Sequence, residues 1–233
     1  MVAPRRCLAY SLSTCSTTRR SYASLLRTYT DLETALSKPV NPFLTNEPLL
    51  PGGSGHLSLV GLPGAGKTTL GRQLAAHFNR PFLDLDVAIE ARTGRSVRAI
   101  FAEDGEASFR TVEAAVLREA LAHAGPPLVL ATGGGTPCFH DNMALLNHAG
   151  PTLWLDVPVD VLAARLPPEE VAKRPLLAAA GGAEAWLRET LAARSQFYAQ
   201  ARLRCGAACT LPAVVAQLAG AGFARPVTLP PAT

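Results

Sequence analysis

The sequence predicts an α/β fold, a central parallel sheet of about five strands with helices on both faces. Two observations carry this reading. Short apolar runs bounded by Gly or Pro alternate with longer segments whose apolar residues recur every three to four positions, as expected of strands buried between amphipathic helices. The first run, Leu57 to Gly61 (LSLVG), passes through a Gly-rich turn directly into such a periodic segment, the strand, loop, helix order of a ligand-binding α/β unit.

The elements follow in order. After the first strand, Leu70, Leu74, Ala75 and Phe78 mark a helix. Pro81 to Leu85 (PFLDL) is a second strand, followed by a long helix through Phe109, Val112, Val116, Leu117 and Leu121, which Pro126 and Pro127 end. Leu128 to Thr132 (LVLAT) is a third strand, Thr152 to Asp156 (TLWLD) a fourth, and Leu203 to Cys205 a weak fifth. Further helices are expected around 140–149, 158–165, 184–201 and 212–219. No repeat of 20 to 50 residues suggests a solenoid.

This body begins near His56. Residues 1–30 hold five Arg, ten Ser or Thr and no Asp or Glu, a composition shared by organellar transit peptides and by disordered leaders. A Pro/Gly/Asn-rich linker, 39–55, closes that segment. The expected organisation is an extension over 1–55, one α/β domain over 56–222 and a tail over 223–233.

Of 233 residues, 48% are hydrophobic and 17% charged, enough for a sizeable core and too apolar for a disordered chain. The net charge of +4 hints at a polyanionic partner, but six basic and three acidic residues lie in 1–56, and the remaining 177 carry 16 basic and 15 acidic side chains. So even a balance argues against a nucleic-acid surface. The five cysteines form no C-x-x-C pair, which disfavours a zinc site or disulfide framework and fits reduced thiols. No apolar stretch is long enough for a membrane span. The cytoplasm is the expected compartment, or a plastid or other organelle if residues 1–55 are a transit peptide.

Gly61 to Thr68 (GLPGAGKT) fits the phosphate-loop pattern G-x-x-x-x-G-K-[ST], with the required strand before it and helix after it. Backbone N–H groups of such a loop curl around phosphate oxygens, the helix N-terminus adds positive potential, Lys67 neutralises the β and γ phosphates and Thr68 offers a hydroxyl to Mg²⁺. Lys67 is one of only two lysines in the body. Asp84 and Asp86 close the second strand, where alternation sends both carboxylates to one side; the simpler alternative is that one caps the next helix. Gly133 to Gly135 follow the third strand and permit close backbone approach to a ligand. Arg110 and Arg194 sit in helical patterns, either as solvated faces or as forks for a carboxylate.

Together these residues resemble the shikimate kinases from about residue 57 to 219. The resemblance is carried by GLPGAGKTTLGRQLA, by FLDLDVAIEARTGRSVRAIFAEDGEASFR, by Glu113 to Leu117 with LVLATGGG, by KRPLL at 173–177 and by LAARSQFY. It implies a P-loop kinase fold with a mobile lid, and ATP-dependent phosphorylation of the 3-hydroxyl of shikimate on the route to chorismate and the aromatic amino acids. The implied roles are these. Lys67 and the loop Gly64, Ala65, Gly66, Thr68 and Thr69 hold ATP; Thr68, with Asp84 through water, holds Mg²⁺. Asp86, Arg110, the backbone of Gly133, Gly134 and Gly135, and Arg194 hold shikimate, and Asp86 orients or deprotonates its hydroxyl. Arg174 is the lid arginine, Arg165 and Pro212 adjoin the adenine, and Glu113 supports Arg110. Shikimate and ATP are the expected partners of a monomer, without nucleic acid or membrane.

Two features depart from the family pattern. The stretch LPPEEVAK, 166–173, is proline-bearing and slightly long for a lid, and TPCFHDN places Cys138 and His140 after the glycine loop, read as local structure. His77, His123 and His148 are read as surface groups. Two other functions compete: a kinase for gluconate or a nucleoside monophosphate, against which the paired arginines and triple glycine speak, and a regulatory module that binds nucleotide without turnover, against which the intact Asp84, Asp86, Arg110, Arg174 and Arg194 speak.

Overall fold

The computed structural model describes residues 55–122, 124–165, 182–206 and 209–223. Five strands form one parallel sheet in the order β2-β3-β1-β4-β5: β1 Leu57–Val60, β2 Phe82–Asp84, β3 Val129–Ala131, β4 Thr152–Leu155 and β5 Leu203–Cys205. Leu59 of β1 pairs with Ala131 of β3 and with Leu153 of β4. All four residues of β1 are buried, because a central parallel strand is covered on both faces. The fifth strand, weak in the sequence, is a full member of the sheet through Leu153–Leu203 and Leu155–Cys205 pairing.

Helices among the described residues are α1 Lys67–Phe78, α2 Leu85–Thr93, α3 Val97–Leu121, α4 Asn142–Ala149, α5 Val159–Arg165, α6 Ala183–Tyr198 and α7 Leu211–Gly220. The core runs through Leu57, Leu59, Leu74, Leu130, Leu153 and Leu218, all fully buried. Phe223, at the expected start of the tail, is also buried, edge-on to Phe78 at 5.0 Å between centroids.

The segment after β2 departs from the sequence reading. The strand stops at Asp84, whose carboxylate caps α2 by accepting from the Asp86 N–H at 3.1 Å, and Leu85 turns fully inward. Asp86 therefore lies in the first turn of a helix, not on a strand, and strand alternation is not what brings the two carboxylates together. The long helix also starts earlier than the apolar spacing indicated. Ser96 caps α3 by accepting from Ala99 N–H at 3.1 Å, and the helix breaks once at Gly105, with φ 79 and ψ 174. Caps of this kind leave no trace in hydrophobic periodicity.

β1 is followed in the chain by β2 on one side of it in the sheet and later by β4 on the other. The crevice where the order diverges, at the carboxyl ends of the strands, is where ligands enter such sheets. The phosphate loop, Asp84 and the triple glycine all leave the sheet at those ends.

Candidate active site

The phosphate loop is built by β1 and α1. Gly66 caps α1 with φ 90, a left-handed conformation that glycine adopts without cost. The ammonium of Lys67 is buried and donates to the Gly61 and Leu62 carbonyls at 3.0 and 2.9 Å; the third of its three donors remains for a phosphate. Burial lowers the Lys67 pKa to about 8, opposed by the charges of Asp86 and Asp84, with Arg194 adding to the lowering. Gly64, Gly66, Lys67, Thr68 and Thr69 line one cleft. Ala65 is buried, so its part in holding a ligand is confined to its backbone.

Thr68 Oγ1 donates to Asp84 Oδ2 at 2.7 Å. Asp84 thus performs two tasks at once, capping α2 with one oxygen and facing the phosphate loop with the other. A hydroxyl and a carboxylate are hard oxygen donors, and such a pair fits Mg²⁺, which favours one or two protein oxygens completed by phosphate and water.

Asp86 lines the same cleft. Its carboxyl is held above the usual range by burial first, then by Asp84 and Glu113, with Lys67 opposing. One carboxyl group and a lysine with shifted pKa values in one cleft, Asp86 and Lys67, are an arrangement from which proton transfer is run.

Arg110, on α3, is buried and tightly held. Its Nε and Nη2 donate to Glu106 Oε1 at 3.2 and 2.9 Å, and its Nη1 to Glu113 Oε2 at 2.8 Å. The other oxygen of Glu113 accepts from Thr136 Oγ1 at 2.5 Å. Phe139, Phe109 and Phe101 surround the guanidinium at 4.4, 5.1 and 5.7 Å. A methyl group on Gly135 would come within 2.4 Å of Arg110 Nη2, so the glycine is required by the arginine's close approach. Glu113 is itself fully buried, and stripping such a pair of one member costs about 3–5 kcal/mol. It is therefore a fixed strut for Arg110. Arg194, on α6, lines the same cleft, close enough to Gly134 that a methyl there would lie 3.3 Å from its Nη1.

The structure therefore brings together Lys67, Asp84, Asp86, Arg110, Gly133 to Gly135 and Arg194 around a cleft of about 1320 Å³, larger than one small ligand needs. Arg165 and Pro212 are exposed and do not line it. Arg174 and the expected lid lie outside the described residues. Cys138 and His140 are not in the cleft lining. Burial pushes the Cys138 thiol up, and the His140 carbonyl accepts from Arg118 Nη2 at 3.4 Å. His77 is half-buried and edge-on to Phe78, His148 is exposed, and His123 lies outside the described residues.

Sequence reasoning missed three contributors. Phe139 belongs to the stretch TPCFHDN, and nothing in the sequence ties it to Arg110, 29 residues earlier. Glu106 lies in the stretch ending DGEASFR and has no role in the sequence reading, although it stands four residues before Arg110, the helical spacing of an ion pair. Trp186 carries no motif at all, yet lines the cleft from α6.

A parallel sheet with a phosphate loop, a Thr–carboxylate pair beside it, and two arginines lining the same cleft define a P-loop kinase. The family model described as shikimate kinase matches residues 63–219. The chain belongs to that family, whose activity is the ATP-dependent phosphorylation of shikimate. Curated relatives named shikimate kinase include that of Parabacteroides distasonis, 44% identical over 149 residues covering 62% of this chain and 83% of the relative. That of Gloeobacter violaceus is 44% identical over 158 residues, covering 68% of this chain and 86% of the relative. Among solved structures, shikimate kinase from Bacteroides thetaiotaomicron superposes with a TM-score of 0.62 at 36% identity, covering 71% of this chain and 97% of that one. The enzyme from Acinetobacter baumannii, solved in complex with shikimate, gives 0.61 at 37%, covering 70% and 89%. No helix among the described residues is long and apolar enough to cross a membrane.

Proposed function

We propose that this protein transfers the γ-phosphoryl group of ATP to the 3-hydroxyl of shikimate, and that the cleft residues divide the work as follows. The phosphate-loop backbone from Gly64 to Thr69 and the Lys67 ammonium hold the triphosphate. Thr68, with Asp84 through water, would hold Mg²⁺, which would supply charge neutralisation to the phosphates. Arg110 and Arg194 take the acceptor carboxylate, and Gly133 to Gly135 approach the acceptor with their backbone. Asp86 orients the 3-hydroxyl and takes its proton as the oxygen bonds to the γ phosphorus and the bond to the ADP oxygen breaks.

The single observation that carries this reading is that two arginines and a carboxylate with a raised pKa line one cleft with a buried phosphate-loop lysine. Phosphoryl transfer asks for positioning and charge stabilisation more than covalent chemistry, and these groups supply both. Closure of the segment 166–180, with Arg174, belongs to the same reading as the means of excluding water. The nearly neutral body supports small-molecule ligands over nucleic acid or membrane as partners, and action as a monomer in the cytoplasm completes the reading.

The assignment is tested with Arg194→Ala. Loss of a charge-assisted fork of about 1.5–3 kcal/mol corresponds to roughly a 10- to 100-fold rise in the KM for shikimate, with the KM for ATP little changed. Steady-state kinetics with each substrate varied separately read this out. An unchanged shikimate KM removes Arg194 from the acceptor site.

A further inference from the structure

The buried groups include one polar side chain that no step above uses. Tyr198, the last residue of α6, is fully buried. Its ring packs against Trp154 of β4, with centroids 5.9 Å apart. Its hydroxyl donates to the carbonyl of Gly134 at 2.5 Å, across 64 residues of sequence.

Three features of this bond bear on the active site. First, Tyr198 stands four residues after Arg194 on the same helix, so the two lie on one face, one turn apart. Their closeness is also electrostatic: the Arg194 charge partly offsets the burial that pushes the phenol up to about 12. Second, the acceptor of the bond lies in the middle of the glycine loop. The peptide linking Gly134 to Gly135 is planar and trans. Fixing its carbonyl therefore also fixes the Gly135 N–H, which points in the opposite sense. Third, Gly134 has no room to drift, since a methyl group on it would meet Pro63 of the phosphate loop at 2.8 Å and Arg194 Nη1 at 3.3 Å. The tie therefore fastens a loop wedged between the two halves of the site.

A phenylalanine would fill the same apolar space with no hydroxyl to satisfy. The position carries a tyrosine whose one donor goes to the glycine loop, not to a nearer carbonyl of its own helix. We propose that Tyr198 is a positioning residue for the acceptor site: its hydroxyl locks the Gly133–Gly135 loop to the helix that carries Arg194, so that loop backbone and guanidinium meet the acceptor as one preorganised unit. This rests on the assignment of the glycine loop and Arg194 to the acceptor.

The test is Tyr198→Phe in the full chain, with the KM for shikimate and for ATP, kcat and melting temperature measured together. The expected result is a rise of about tenfold in the shikimate KM, the worth of one oriented hydrogen bond, with the ATP KM within about twofold of the parent. Trp154→Phe is the companion variant. It loosens the ring packing and keeps the hydroxyl, so it is expected to lower the melting temperature and leave the shikimate KM in place.

A shikimate KM unchanged in Tyr198→Phe overturns the proposal. So does an equal rise in both KM values, an equal rise in the shikimate KM of Trp154→Phe, or a Tyr198→Phe chain that does not fold, which assigns the hydroxyl to folding alone. Arg194→Ala separates this from the underlying reading. If it leaves the shikimate KM alone, the acceptor assignment itself fails; if it raises that KM while Tyr198→Phe does not, only the role of Tyr198 fails.

Discussion

Lys67→Met is expected to lower turnover by roughly 10²- to 10³-fold while the protein stays folded. The ammonium is buried, with two of its donors on the Gly61 and Leu62 carbonyls, so it is preorganised beside the position of the transferring phosphate. Methionine fills a similar volume without a charge to desolvate, and its apolar side chain leaves the loop packed. Coupled ADP release gives the turnover, and circular dichroism with thermal melting gives the fold. Turnover near that of the parent would remove Lys67 from the chemistry.

The same burial gives a pH signature. With its pKa lowered to about 8, the lysine of the free protein loses its proton above that pH. A bound triphosphate favours the ammonium and raises the pKa, so binding above pH 8 must take up a proton. The KM for ATP is therefore expected to be flat below about pH 7 and to rise above pH 8, by up to about tenfold per pH unit until the pKa of the complex is reached. Lys67→Met should lack this lysine-dependent rise.

Asp86→Asn is expected to lower kcat by about 10²- to 10⁴-fold, the range of one general base, with no loss of stability. Asparagine has nearly the same shape but cannot take the hydroxyl proton. The ionised carboxylate is disfavoured here by burial and by Asp84 and Glu113 nearby, so a neutral amide relieves crowded negative charge. A melting temperature equal to or above the parent's, together with the fall in kcat, is the expected pair of results. A kcat within a few-fold of the parent's would leave Asp86 as a mere helix residue.

Much of this site was legible from residue order because its parts are local. A phosphate loop is a strand, a turn and a helix start within a dozen residues, and glycines mark where a backbone must approach a ligand. Arg110 and Glu113 were legible as a helical pair because their spacing is three. What was not legible depends on caps and on distant contacts. Asp86 was placed on a strand because apolar alternation continues through Leu85, whereas the capping bond from Asp84 ends the strand and starts α2. The break at Gly105 and the cap at Ser96 likewise carry no periodic signal. Phe139 against Arg110 and Tyr198 against Gly134 join segments 29 and 64 residues apart, and only the folded chain brings them together.

The central claim is that one cleft joins ATP to a small carboxylated acceptor through its 3-hydroxyl. The most direct measurement is ADP release by the full-length protein with ATP, Mg²⁺ and either shikimate, gluconate or CMP, with the phosphorylated product located by ³¹P and proton NMR. ADP release is expected with shikimate alone, and the new phosphate on the 3-hydroxyl. Equal or greater kcat/KM with gluconate or CMP, a phosphate on another hydroxyl, or nucleotide binding without turnover for any acceptor would contradict it.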